Sequence, residues 1–243
     1  SVNLSADTGF GEAAILRRLP GNLNLQIDAA FYSHDFTDVP SGQGSDQWHF
    51  GGALFWRDAH LGLIGVDGGY GRISMYSLVE NYRVGLRGEW YLGDRMTLSA
   101  RGGYYDTDSD TGSGDAWTGT ISAEYFLTSN LGLKGQADWL REEVGFAYGT
   151  QNSRAWALSA EAEYLLTGTN LPNVSLFASV RHYDFDYTYS SNGQPDGSED
   201  WAENQFTVGV RYYFGSSGSL VDHKRNNTVD NTHIWLERDP WFP

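Results

Sequence analysis

Residues able to do chemistry gather in two places along this chain. In the run RHYDFDY, His182, Asp184 and Asp186 stand at alternate positions, so an extended chain would put an imidazole and two carboxylates on one face, the raw material of acid–base hydrolysis. His34 and Asp35 form a second imidazole–carboxylate pair elsewhere. The other place is Asp106, Asp108, Asp110 and Asp115 with Gly112 and Gly114 among them, since hard oxygen ligands at alternate positions suit calcium. That run departs from the EF-hand loop, with Thr111 where glycine is needed and Trp117 where the closing glutamate should stand, and a solvated acidic turn is the competing reading. No Ser/His pair stands out from the many loop serines to suggest a lipase.

The elements that would carry these residues are read from alternation. The chain has 243 residues, 30 glycines, 9 tryptophans and no cysteine, which suits one all-β domain without disulfides or thiolate metal sites. No stretch approaches the roughly 18 uninterrupted apolar residues of a membrane helix, but barrel strands hide from such a test. A net charge of −15 excludes a nucleic-acid binder, because phosphate backbones need Lys and Arg. No signal peptide is visible at Ser1, as expected of a mature chain or of one that begins inside a longer protein.

From Leu23 to Phe214, segment after segment repeats one apolar face: Leu25, Ile27 and Phe31; Trp48, Phe50, Leu54 and Trp56; Ile64 and Val66; Val84, Leu86 and Trp90; Trp117, Ile121 and Tyr125. None of these positions is charged, and aromatics sit at the segment ends, where two interfacial girdles would lie. Connections alternate short and long. Arg57 to His60, Gly93 to Arg95, Thr128 to Asn130 and Thr167 to Asn173 are the short ones; His34 to Gln47, Asp106 to Ala116, Glu142 to Ser153 and Asp184 to Ala202 are the long.

The closing segment QFTVGVRYYF carries Thr207, Gly209, Tyr212 and Phe214 in the order polar, x, Gly, x, x, aromatic, x, aromatic, which resembles the assembly signal of the last strand in bacterial outer-membrane β-barrels. With the alternation, the chain resembles that class of Gram-negative envelope protein over about residues 10 to 214. The resemblance implies an up-and-down antiparallel transmembrane barrel of about 10 to 12 strands in the bacterial outer membrane, porin-like in class, with lipid, lipopolysaccharide and the barrel assembly machinery as partners. Ten strands follow directly from the pattern. Residues 1–22 form an N-terminal segment in which FGEAAILRRLPGNLNLQ resembles FGGALFWRDAHLGLIG, suggesting an eleventh strand that would aim Glu12 at lipid; a helix over GEAAILRRL ended by Pro20 is the alternative. An even count would need one more ascending strand.

On the inward face of the barrel, 23–214, the charged positions are Asp28, Arg57, Asp67, Arg83, Arg87, Glu89, Arg101, Glu124, Lys134, Asp138, Glu161, Glu163, Arg181 and Arg211, seven of each sign. Balanced charge in a narrow lumen predicts cross-linked walls or a thin water path rather than an open pore. Excess acid sits in the outer connections, Asp196, Glu199 and Asp200 among it, and an acidic rim attracts cations.

The tail, residues 215–243, reads as a flexible linker followed by Trp235, Leu236, Trp241 and Phe242, an aromatic segment expected to dock on the periplasmic mouth or on a protein partner, or else a disordered appendage. Two function classes follow. One is a non-enzymatic barrel, either a narrow small-solute channel or a structural and docking subunit of an envelope assembly. The other is a barrel-mouth hydrolase: omptin-family proteases use paired acids and an Asp/His couple at the mouth, and the cluster at His182, Asp184 and Asp186 is faintly similar, with no second matching motif, so no catalytic role is carried across. A lipid-modifying enzyme belongs to the same class. No cofactor is implied beyond the calcium candidate.

Overall fold

The computed structural model describes residues 6–36, 44–74, 78–110, 112–146, 149–166, 173–191, 194–213 and 218–226. Eleven strands form one sheet in chain order, every neighbouring pair antiparallel: β1 Ala6–Arg18, β2 Leu23–Phe36, β3 Gly44–Asp58, β4 Gly62–Ser74, β5 Leu78–Leu92, β6 Met96–Ser109, β7 Gly112–Phe126, β8 Leu131–Phe146, β9 Gly149–Leu165, β10 Val174–Ser191 and β11 Gln194–Tyr212. A seven-residue helix, α1, Leu220–Asn226, follows the sheet.

Alternation has the physical result expected of it. Along β9 every second residue from Gln151 to Ala157 is buried and those between are exposed, and Leu158, at 53 % exposed, points away from the buried row. Phe50, Ile64, Leu86, Trp90, Ile121, Leu158 and Val208 are all at least half exposed, whereas Asp28, Asp67 and Glu163 are at most 3 % exposed. A water-soluble sheet would invert this order, because burying apolar area and solvating carboxylates both lower the free energy in water. Aromatic residues close the apolar band at both ends. Trp48, Tyr70, Tyr82, Tyr104 and Trp117 form the outer row, with ring contacts of 5.1 to 5.3 Å, and Trp56, Trp90, Tyr125, Tyr164 and Tyr212 form the lower one. Trp139 lies across Gly119, where an added Cβ would come within 2.0 Å of the indole nitrogen.

One alternative is settled and one expectation is corrected. GEAAILRRL is strand, not helix: β1 pairs with β2 from Ala6↔Phe36 to Arg18↔Asn24, and Pro20 with Gly21 forms the short turn that follows it. This register sets Glu12 opposite Ala30, which is itself buried, and the Glu12 side chain lies outside the described residues. The long connections are also mostly strand. β6 and β7, β8 and β9, and β10 and β11 continue as paired hairpins almost to their tips, β10 and β11 running 18 and 19 residues where a membrane crossing needs about 9 to 11. Gly, Ser, Thr and Asp obscure these extensions, because turn-forming residues look like loop where cross-strand pairing overrides them.

At the short-turn end, Gly62 has φ +134° and an added Cβ would lie 2.0 Å from the Glu89 carbonyl oxygen, so only glycine fits. Gly65 is crowded as well: a Cβ would meet Phe55 Cβ at 2.3 Å and the Leu54 carbonyl at 2.7 Å. Gly65→Ala is therefore expected to cost about 1 to 3 kcal/mol through a forced shift of β3, read as a lowered urea midpoint of the refolded protein. Among the described residues β1 and β11 share no ladder, so the wall they form is an open eleven-strand meander.

Candidate functional site: the inward face and the helix packed against it

The inward side chains divide the lumen into three levels. At the outer level, Ala116, Leu140, Ala155, Ala157, Tyr183 and Phe185 form a buried apolar cluster, joined by Tyr105 and Tyr187. Tyr183 stacks on Phe185 with ring centres 6.4 Å apart, and Phe185 meets Tyr187 at 6.1 Å. The β6–β10 side of the outer lumen is thus packed with rings.

The middle level is an ion-pair network. Asp67 on β4 accepts from Arg83 on β5 at 2.6 Å, from Arg87 on β5 at 3.0 Å and from Arg101 on β6 at 3.0 Å. Glycine makes room for it. Gly85 stands where a Cβ would come within 2.9 Å of the Asp67 carboxylate, and Gly103 where one would crowd the Thr118 hydroxyl at 3.2 Å. Asp138 on β8 accepts from Thr120 Oγ1 at 2.8 Å and from Gln136 at 2.9 Å, and pairs with Arg181 at 3.5 Å. Asp28 lies 3.9 Å from His49, and Arg57 rests over the Phe55 ring. Glu89 accepts from the Tyr91 hydroxyl at 3.1 Å, and Lys134 is half buried.

At the lower level α1 packs against the inward residues of the wall. Glu163 is the centre: Ser175 Oγ donates to it at 2.5 Å, the Tyr213 hydroxyl at 2.6 Å, Arg211 at 2.5 Å and Lys224 Nζ at 2.7 Å. Arg211 also forks onto Glu161 with contacts of 2.7 and 2.8 Å, and Lys224 stands 3.6 Å from Glu124 and 4.0 Å from Glu161. Leu220, wholly buried, packs with Phe126 and Leu165, and its amide donates to the Ser129 carbonyl at 2.7 Å. His223 stacks on Tyr213 with ring centres 4.7 Å apart. Arg225 donates to the Met96 carbonyl at 2.8 Å and to Thr97 Oγ1 at 3.2 Å, with its guanidinium over the Tyr91 ring. The helix therefore crosses the mouth from the β7–β10 wall to the β5–β6 wall.

Local sequence explains why a helix forms there. Ser219 Oγ accepts from the Asp222 amide at 3.2 Å, and the Asp222 carboxylate accepts from the Ser219 amide at 3.0 Å and from its hydroxyl at 2.7 Å, a reciprocal capping box. His223, Lys224 and Arg225 occupy the last turn, where cations suit the helix dipole. Both are visible in SLVDHKRN, yet the preceding GSSGS run reads as linker and hides them. The Ser219 hydrogen bonds hold the Asp222 carboxyl below the usual carboxylate range. Burial pushes His223 below the ordinary histidine value. For Lys224 burial pulls down, but the Glu124 and Glu163 carboxylates outweigh it and hold the ammonium above the usual lysine value.

The other sequence candidates are placed as follows. His182 Nδ1 lies 3.0 Å from Asn204 Oδ1 and its ring packs on Trp156, on the outward row of β10, away from the inward Tyr183 and Phe185. Asp106 and Asp115 are cross-strand partners on the β6–β7 hairpin, with Asp108 opposite Ser113 and Asp110 at its tip. Among the described residues no group of three His, Cys, Asp or Glu could hold a metal ion. Thr207, Gly209 and Tyr212 lie on the lower half of β11; Phe214, and Trp235, Leu236, Trp241 and Phe242 of the tail, lie outside the described residues.

An up-and-down ladder of antiparallel strands with outward apolar residues, aromatic belts and a buried charged interior is the arrangement a bilayer demands of strands that cross it. The chain is an outer-membrane β-barrel. It belongs in a Gram-negative outer membrane, with short turns at one end of the wall and long acidic hairpins at the other. No family model matches the barrel, and no curated protein matches it. Among solved structures, it is similar to OmpT, an outer-membrane protein of Vibrio cholerae, in its trimer form, at 12 % identity and TM-score 0.49, over 87 % of this chain and 99 % of that one. The outer-membrane-expressed form of the same protein gives 13 % identity and TM-score 0.49 over 88 % and 99 %. The copper transporter OprC gives 12 % identity and TM-score 0.46 over 88 % of this chain and 45 % of that one.

Proposed function

We propose that the barrel is a narrow small-solute channel closed at its periplasmic mouth by its own C-terminal segment, with α1 as the plug. The observation that carries this reading is Lys224, an ammonium lodged among Glu163, Glu124 and Glu161 inside the wall. Seven residues cannot hold a helix in water alone, so α1 exists because the lumen receives it. A purely structural wall has no need of a separate charged helix in its mouth, whereas a conduit that must be shut does. The acidic outer hairpins, with Glu199 and Asp200 exposed, draw cations toward the opposite end. A hydrolase reading gains no support, because His182 meets an amide rather than an acid.

Planar-bilayer recording tests the proposal. The full chain is expected to be silent or to open in brief, small events, and the chain lacking residues 219–243 to show steady conductance several-fold larger. Folding should be unaffected by the deletion, checked by heat-modifiable gel mobility. Silence from both folded proteins at all voltages would replace the channel with a structural or docking subunit.

A further inference from the structure

We infer, building on the plug reading, that Glu124, Glu161 and Glu163 form a binding site for the ammonium head of a small primary amine, and that Lys224 occupies this site until such an amine competes for it. An ammonium already sits there. Lys224 Nζ stands 2.7 Å from Glu163, 3.6 Å from Glu124 and 4.0 Å from Glu161. It belongs to α1, whereas the three carboxylates belong to β7 and β9 of the wall. A short helix that does not hold itself together in water is a displaceable occupant, so the site can change hands.

The wall builds the site without help from the helix. Ser175 Oγ and the Tyr213 hydroxyl donate to Glu163, and Arg211 forks onto Glu161 while also reaching Glu163, so these supports come from β10, β11 and the residue that follows β11. Lys134 is the ladder partner of both Glu124 and Glu161. Lys134 and Arg211 therefore set two fixed cations among three carboxylates, and the Lys224 ammonium is the third. The site is also reachable, since the Lys224 side chain is 21 % exposed. An ammonium offers three donors to three acceptors, whereas a hard metal ion needs oxygens drawn in to about 2.0 to 2.6 Å. Among the described residues no group of three His, Cys, Asp or Glu could hold a metal ion. A primary amine on a short alkyl stem reproduces the head and the four-carbon stem of lysine. At the other end of the wall, exposed Glu199 and Asp200 gather solutes of the same charge.

The test is titration calorimetry with n-butylammonium chloride, balanced by sodium chloride at constant ionic strength and neutral pH, on the full chain and on its Lys224→Ala variant, both shown to be folded by heat-modifiable gel mobility. Saturable heat is expected from Lys224→Ala. The parent should bind about tenfold more weakly or worse, because only the fraction with Lys224 displaced is competent. Adding Glu163→Gln to Lys224→Ala should abolish binding; if that double variant does not fold, Glu124→Gln takes its place and should weaken it. Arg154→Gln, on the exposed row of β9, should leave binding unchanged. Tetramethylammonium, equal in charge but without an N–H donor, should give no saturable heat. No saturable heat from Lys224→Ala, equal affinity in the parent, binding indifferent to the loss of a glutamate, or equal binding of tetramethylammonium would each overturn the site. Bilayer silence would end the channel reading and leave these binding outcomes as they stand.

Discussion

Lys224→Met is expected to release α1 from the periplasmic mouth while leaving the strands folded. The substitution keeps the length of the side chain and removes its charge, so Glu163, 2 % exposed at its side chain, loses its 2.7 Å ammonium contact and keeps Arg211 as its remaining cation. Removing one partner of a buried ion pair costs about 3 to 5 kcal/mol; Arg211 softens the loss toward the lower figure. A helix of one or two turns, otherwise held by one buried leucine, its amide bond to Ser129, one ring stack and the Arg225 contacts with Met96, Thr97 and Tyr91, has too few contacts to absorb that loss. Hydrogen exchange at the amides of residues 220–226 should become fast, and bilayer conductance should approach that of the truncated chain. Asp222→Ala removes only the capping box and should cost about 1 kcal/mol, loosening the plug without releasing it. Amides that stay protected in Lys224→Met would show that apolar packing, not the ion pair, holds the helix.

Acidity should act on the same contact through a different residue. His223 is held below its ordinary value of 6.5, so its neutral form belongs to the docked state; that contribution is complete above 6.5 and is lost as pH falls through the lower docked value. Lys224 works in the opposite direction. Its docked value lies above 10.5, so its contribution is complete below 10.5 and is lost only as pH rises through the docked value. Between the two the plug is most firmly seated, and mild acidification is the condition that should loosen it.

How far this was legible in the sequence depends on which force placed each residue. The wall was legible because one constraint acts on every second residue of every strand: lipid on one side selects Phe50, Leu86 and Ile121, and the lumen on the other selects Asp67, Arg87 and Glu163. Such a constraint leaves a period. The plug left none, since α1 is set by a single capping box and by partners 60 to 130 positions away, such as Glu163 and Thr97, which no local pattern announces. The arginine convergence on Asp67 was half visible: all four residues fall on the inward face, but their meeting depends on ladder register and on the space left at Gly85, which alternation does not encode. The outer hairpins are hard to read for the opposite reason. Their turn-rich composition is a local signal, and pairing with a neighbour already in register overrode it.

Ile121→Arg should be among the most damaging single changes on the wall. Ile121 is 64 % exposed on the outward row of β7, midway between Trp117 above and Tyr125 below, and its ladder partners Ala100 and Ala137 are too small to shelter a long side chain. An arginine at that depth must leave its guanidinium in hydrocarbon or bend several ångströms to the headgroups, and on barrel surfaces this costs about 2 to 4 kcal/mol at the midplane. Gln136→Lys provides the contrast on the inward row of β8. The glutamine already donates to Asp138 at 2.9 and 3.1 Å, so a lysine can keep that acceptor and stay in the polar interior, at a cost below about 1 kcal/mol. Reversible urea unfolding in lipid vesicles should separate the two variants by at least about 1 kcal/mol, with Ile121→Arg the weaker. Equal losses would mean that the outward row does not meet lipid. An Ile121→Arg protein as stable as the parent would place Ile121 in water or against protein and overturn the orientation of the wall.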